Sequence, residues 1–253
     1  MADFVHLTNK TEYSLSEGAL PITRIAELCQ SFSMPAVGIS DNNNMFGALE
    51  FSEQIAKVGV QPILGCNIKI KTPKEYLHEN IEDNDLYFYL NIFSKNNEGY
   101  ENLLKCVSNA YTLNKGNAYV TVEDLIKFKD GLIILSGGNN SILTHSTGHM
   151  ITKQSQQFIS DFKKEFNDNF YIEIQRFGSA DFRLNEEAVL NLAYDYQIPL
   201  VATNDAYFEG PEHFEAHDAL MCIEKKLFVS QVDRTRLSKE HYFKTQNEML
   251  EQF

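Results

Sequence analysis

The sequence predicts an α/β fold, parallel strands with surrounding helices, on three observations. Short apolar, β-branched runs recur along the chain, each follows a stretch of helical spacing, and each ends in polar or small residues. Repeated strand–helix alternation builds a parallel sheet or barrel. A length of 253 residues with 43% hydrophobic and 23% charged residues suffices for a full core. It excludes collagen-like, disordered and coiled-coil classes.

The elements can be justified in order. An opening strand is expected around residues 4–7. Further strands are expected at residues 35–40 (PAVGIS), 62–65 (PILG), about 86–93, 131–136 (GLIILS), 170–175 (FYIEIQ) and 199–203 (PLVAT). Between them, Ala48, Phe51, Ile55 and Val58 fall three or four apart, as do Ile159, Phe162 and Phe166, and Leu184, Ala188 and Leu192. Each set makes one apolar stripe on a helix. Residues 71–85, rich in charge and containing Pro73, read as a loop. The barrel core is expected over about 1–210 of a single domain spanning 1–253, with a helical extension over about 211–253. In that extension a helix is expected at 212–223. A last helix near Thr245, read without a cap and ending on Phe253, suggests a piece of something longer.

Charge and cysteine usage narrow the function classes. A formal net charge of −13 disfavours a general electrostatic grip on nucleic acid, and no basic patch stands out. Cys29, Cys66, Cys106 and Cys222 are scattered and form no CxxC pair, which argues against a zinc ribbon or a disulfide framework and for a reducing cytoplasm. The polar amino terminus is no signal peptide, and no stretch approaches the ~18 apolar residues of a membrane span.

Strand ends carry the candidate chemistry. In parallel folds the carboxyl ends of the strands form the functional rim, which would gather Asp41, Asn67, the Gly137-Gly138-Asn139-Asn140 turn, the residues after Gln175, and Asp205. Asp41 and Asp205 read either as metal-binding or acid–base carboxylates or as caps of the turns that follow them. Of His6, His78, His145, His149, His213, His217 and His241, only His145 and His149 are close, and their i, i+4 pair contains Gly148 and lacks the metalloprotease Glu, so a loop is expected. His6, in a strand, reads as a core or rim histidine. No Walker, Rossmann or nucleophile-elbow motif occurs, and the glycine pair reads as a tight turn before a phosphate cradle.

In order along the chain, FVHLTNKTEYSLSEG, ISDNNNMFGALEF, GVQPILGCN, SKNNEGYENLLK, GLIILSGG, FYIEIQRFG, IPLVATNDAYF and EAHDALMCI resemble the amino-terminal domain of bacterial replicative DNA polymerase III alpha subunits, a domain of the polymerase and histidinol phosphatase (PHP) family. The resemblance covers essentially the whole chain and implies a distorted (β/α)₇ barrel. Metal-binding members of that family carry His, Asp and Glu ligands at eight positions. By the resemblance these fall on Thr8, Lys10, Asp41, Asn42, Asn67, Phe177, Asp205 and Tyr207, so only the two aspartates match. A further family His falls on Tyr89 and a Cys on Gly138.

Six replaced ligands leave too few imidazole and carboxylate donors for a polynuclear site, and Lys10 adds a cation. The expectation is a vestigial site with no metal and no catalytic residue. Lys10 would stand where a metal stood, between Asp41 and Asp205, with Asn42 and Asn67 as neutral hydrogen-bonding partners, or else reach to solvent. The resemblance further implies that such a barrel supports the rest of a polymerase alpha chain, a DNA-directed DNA polymerase, and carries the proofreading exonuclease subunit. It would meet DNA through the parent holoenzyme. Magnesium is expected only in a polymerase palm outside this sequence. The rival is a metal-dependent phosphoesterase or 3′–5′ exonuclease with a site remodelled around Asp41, Asp205 and His6.

Overall fold

From Ile22 onward helices are interspersed with strands, as the apolar runs predict. The structure, a computed structural model, describes residues 4–77, 86–114, 117–138, 141–143, 152–177, 180–234 and 236–253, with the backbone alone for 180–185. His78, His145 and His149 lie outside the described residues.

Helix α1 (Ile22–Ser31) begins directly after Pro21, whose fixed φ suits a helix start, and leads into strand β1 (Ala36–Asn42). Helix α2 (Ala48–Lys57) buries Ala48, Phe51 and Ile55, the expected stripe. Strand β2 (Gln61–Lys71) extends well past the PILG run, and β3 (Tyr87–Ser94) follows. Helix α3 (Asn97–Leu113) is capped by Asn96, whose side chain accepts from the Gly99 amide, and α4 (Val122–Lys127) is capped by Thr121. Then come β4 (Leu132–Leu135), α5 (Lys153–Phe166), β5 (Phe170–Gln175), α6 (Ala180–Asp195), β6 (Leu200–Thr203), α7 (Phe214–Lys225) and α8 (Gln246–Gln252).

The α/β fold is as expected; two details differ. The six strands are hydrogen-bonded in sequence order, with β4 and β5 parallel, but β3 runs antiparallel to both β2 and β4. Two helices, α3 and α4, stand between β3 and β4. The expected opening strand is an extended run without strand pairing of its own. It is nevertheless held on both sides: the Gly38 and Ser40 amides donate to the carbonyls of His6 and Asn9, while Lys10 N and Ala206 N exchange bonds of 2.8 and 2.9 Å with the carbonyls of Ala206 and Thr8. A parallel bridge joins Asn9 to Ala206. The last helix is also better defined than its sequence suggested. Thr245 and Glu248 form a reciprocal capping box at its start.

The chain divides into two compact units. One comprises Met1–Leu64, Arg176–Gly178 and Thr203–Phe253. Its core joins Ile22, Ile25, Cys29, Val37, Ile39, Phe51, Ile55 and Phe243, all buried. The other comprises Gly65–Gln175 and Ser179–Ala202. Its centre is aromatic: Phe158 packs edge-to-face on Phe88 and Phe170 and lies 4.2 Å, centroid to centroid, from Phe162. Burial of each ring contributes about 1.5–3 kcal/mol against about 0.5–1.5 kcal/mol for ring geometry, so burial dominates this core. In the same unit α3 approaches the turn before β4 so closely that a Cβ on Gly99 would stand 1.8 Å from the Gly131 carbonyl oxygen.

Two stability measurements check this account. Gly99→Ala is expected to lower unfolding stability by about 1–3 kcal/mol through overpacking against backbone that cannot yield. Thr245→Ala is expected to cost about 1 kcal/mol through the lost cap. Urea unfolding of each variant reads both, and an unchanged midpoint for either removes its stated cause.

Candidate functional site

In the first unit, strand alternation places the side chains of Thr8 and Lys10 opposite that of Asn9, and those of Asp205 and Tyr207 opposite that of Ala206. Four of the expected ligand positions therefore share one face. Lys10 is 1% exposed. Its ammonium donates to the Ser40 carbonyl at 2.5 Å and the Ser40 hydroxyl at 3.1 Å, and stands 3.7 Å from Asp205 Oδ1. That carboxylate oxygen is buried and accepts no hydrogen bond, and the Thr8 hydroxyl is likewise buried without one. The solvent-reaching alternative for Lys10 is thereby excluded.

Asp41 caps a turn, but one that precedes it in the chain and not the expected one that follows its strand. Its carboxylate accepts from the Thr11 amide (2.7 Å), the Thr11 hydroxyl (2.7 Å) and the Ser14 hydroxyl (2.6 Å), tying the turn at 11–14 to the end of β1. Burial pushes its pKa up, and the Ser14 and Thr11 hydrogen bonds, with the nearby charge of Lys10, work against that rise. Asn42 and Asn67 do not serve Lys10 as expected. The Asn42 amide side chain donates to Glu17, and Asn67 donates to Asn91. In each case the amide is engaged by another side chain, which in the case of Asn67 lies directly across the β2–β3 ladder.

Phe177 and Tyr207, at two of the expected ligand positions, serve as packing surface. Phe177 stacks on His241 with centroids 3.9 Å apart, and Tyr207 meets His241 and His217 edge-on at 5.9 and 5.7 Å. Burial holds His241 down to about 4, and His217 is lowered by the same cause. His217 Nε2 donates to the Glu17 carbonyl at 2.6 Å. His6 is a core histidine: it packs on Phe243, donates from Nε2 to the Lys244 carbonyl at 2.7 Å, and is lowered to about 4 by burial. A neighbouring pair, Asp218 with Arg234, is buried and doubly hydrogen-bonded, and Arg236 adds a contact at 3.1 Å.

The second unit holds a separate polar cluster. Asn67 bonds to Asn91 at 2.9 Å, and Asn91 donates to both oxygens of Glu173 at 3.2 and 3.0 Å. Glu173 also accepts from Gln175 (3.1 Å) and from the Gly137 amide (3.2 Å). Gly137 and Gly138 both have positive φ, and a Cβ on Gly138 would meet the Gln175 side chain, so the glycines serve a tight turn closed over a carboxylate. The Gly137 amide that a phosphate would need is already taken by Glu173. Tyr89 is half-buried in β3 opposite Lys69. Glu173 and Asn91 escaped the sequence reading. The available signal was a charged residue flanked by isoleucines within an apolar strand.

A zinc-type centre takes three or more donors from His, Cys, Asp or Glu in one place. Among the described residues no such group exists. The residues present do not fit a PHP-type metal centre, because an ammonium, two rings and a hydroxyl stand at its donor positions.

A profile of the PHP domain matches residues 6–177. The chain belongs to the PHP domain family. Relatives of this PHP domain include proteins named DNA polymerase III subunit alpha, from Caulobacter vibrioides at 37% identity over 256 residues and from Rickettsia conorii at 34% over 253. Each match covers 99% of this chain but only 22% and 21% of the relative, so the chain spans about a fifth of their length. Two solved structures share the fold at a TM-score of 0.52. One, described as a metal-dependent phosphoesterase from Bifidobacterium adolescentis, is 11% identical and is matched over 79% of this chain and 86% of its own. The other, an amidohydrolase from Chromobacterium violaceum, is 12% identical and is matched over 80% and 87%.

The buried histidines set a pH dependence. A histidine held at about 4 when folded and near 6.5 when unfolded takes up its proton mainly on unfolding, so stability falls as pH drops from about 6.5 toward 4. Asp41 and Glu17, raised by burial, act in the opposite sense at the acid end, which makes a difference between variants the cleaner readout. His6→Phe is expected to reduce the loss between pH 7 and pH 4 by about 3 kcal/mol. Denaturant unfolding at both pH values measures it, and an equal loss in both proteins would contradict a neutral core imidazole.

Proposed function

We propose that this PHP domain is catalytically inert and serves DNA replication in the cytoplasm as a scaffold of a DNA polymerase III alpha chain, stabilising the polymerase and docking its proofreading exonuclease subunit. The observation that carries the reading is the buried Lys10 ammonium, 3.7 Å from Asp205, at a position where a PHP metal site needs a donor. A cation fixed by the chain repels the divalent ions that phosphoester hydrolysis by this fold would use. Nucleotidyl transfer, with its magnesium, belongs to the polymerase portion outside this chain, and DNA is met through the holoenzyme. Support for the scaffold role comes from the relatives, which are alpha subunits over 99% of this chain. It also comes from apolar side chains at the surface of the first unit: Ile223, Phe228 and Val232 are 74%, 75% and 94% exposed. No helix among the described residues is long and apolar enough to cross a membrane, in keeping with a replication protein.

Two measurements test it. Elemental analysis of chelator-free protein is expected to find less than one equivalent of zinc, manganese or iron per chain, with phosphoesterase activity at background. One or more equivalents, with activity abolished by Asp205→Ala, would overturn inertness. Size-exclusion chromatography at tens of micromolar is expected to show co-elution with the exonuclease subunit. Failure to co-elute, under conditions where a full alpha chain does, would place docking elsewhere.

A further inference from the structure

We infer that the Lys10 ammonium is a tethered counter-ion that replaces the family's metal as the cross-link of this face, so that the fold here carries its own cation. The inference rests on the reading of the domain as inert and adds what holds the emptied site together.

The chain around Lys10 has a bonding problem. Residues 6–10 run between β1 and residues 204–207, and Asp205 lies on the same face as Lys10. Asp205 Oδ1 is buried and receives no hydrogen bond. A carboxylate so placed is costly without a positive charge close by. A metal ligand would stand about 2.0–2.2 Å from its ion. The ammonium stands at 3.7 Å, too far for a direct hydrogen bond and close enough for an ion pair whose ammonium and facing carboxylate oxygen are both buried.

The position of the ammonium explains why lysine suits this task. Its four-carbon stem starts on the segment at 6–10, its head bonds to both the carbonyl and the hydroxyl of Ser40 in β1, and its charge faces Asp205 beyond the end of β6. One side chain therefore ties three neighbouring segments, as a metal does through its ligands. The difference is permanence. A metal leaves with a chelator, whereas an ammonium on the chain cannot.

The remaining former ligand positions are consistent with a single cation. Asp41 is held by Thr11 and Ser14, and Tyr207 and Phe177 pack on histidine rings. Asp205 is the carboxylate among them whose buried oxygen lacks a hydrogen bond, and Lys10 is the cation beside it, its charge also reaching Asp41 and Glu17.

A double-mutant cycle on the 253-residue chain tests the inference through unfolding midpoints for wild type, Lys10→Met, Asp205→Asn and the double variant. Lys10→Met is expected to lower the midpoint strongly. In the Asp205→Asn background the same change is expected to lower it by less than half as much, because no uncompensated carboxylate remains. Additive losses would overturn the inference. If Lys10→Met alone does not fold, recovery of folding in the double variant supports it, and a double variant as unfolded as Lys10→Met overturns it. Incubation with EDTA is expected to leave the wild-type midpoint unchanged, and a downward shift would show that a metal performs this task. The cycle is independent of partner binding. Additivity with exonuclease co-elution intact would remove the counter-ion alone, and coupling without co-elution would remove the docking reading alone.

Discussion

The arrangement of the first unit depends on one constraint: a carboxylate and an ammonium, both withdrawn from water, must be placed so that neither is left alone. Asp205 lies just beyond the end of β6 and Lys10 on the extended segment beside it, so the register between them is also the register of the backbone bonds through Asn9 and Ala206. A shift by one residue would turn Lys10 to the opposite face and strand both charges. Hydrophobic burial supplies most of the stabilisation of this unit through Ile22, Ile25, Phe51 and Phe243, but burial is not directional. The ion pair and the Asp41 bonds to Thr11 and Ser14 select one alignment among those that burial alone would allow.

Much of this fold was legible because its signals are local. Each expected strand after the opening run became a strand or part of one, and the stripe through Ala48, Phe51 and Ile55 became the buried face of α2. Strand direction was less legible. Antiparallel β3 follows from how the connections return, and apolar periodicity carries no record of that. The capping box at Thr245 was readable from a threonine followed three residues later by a glutamate, yet the surrounding polar stretch masked it.

The candidate site divides in the same way. The family resemblance assigns Thr8, Lys10, Asp205 and Tyr207 to one site, and the Asn9–Ala206 bridge is what puts them on one face. The partners that decide their roles could not be read from the sequence, because Ser40 meets Lys10 across 30 residues and His241 meets Phe177 and Tyr207 from far along the chain. The cluster of Asn67, Asn91, Glu173 and Gln175 shows the converse. Its members are scattered in sequence and converge only because neighbouring strands bring them side by side.

The ring stacked on His241 restricts what that histidine can do. Phe177 uses an imidazole as a flat apolar surface, and that surface persists only while the imidazole stays uncharged and unligated. A polar side chain at position 177 would forfeit the stack and leave a buried imidazole against a poorer neighbour. His241 is thereby committed to packing: it could act as a base or a ligand only if the two rings came apart.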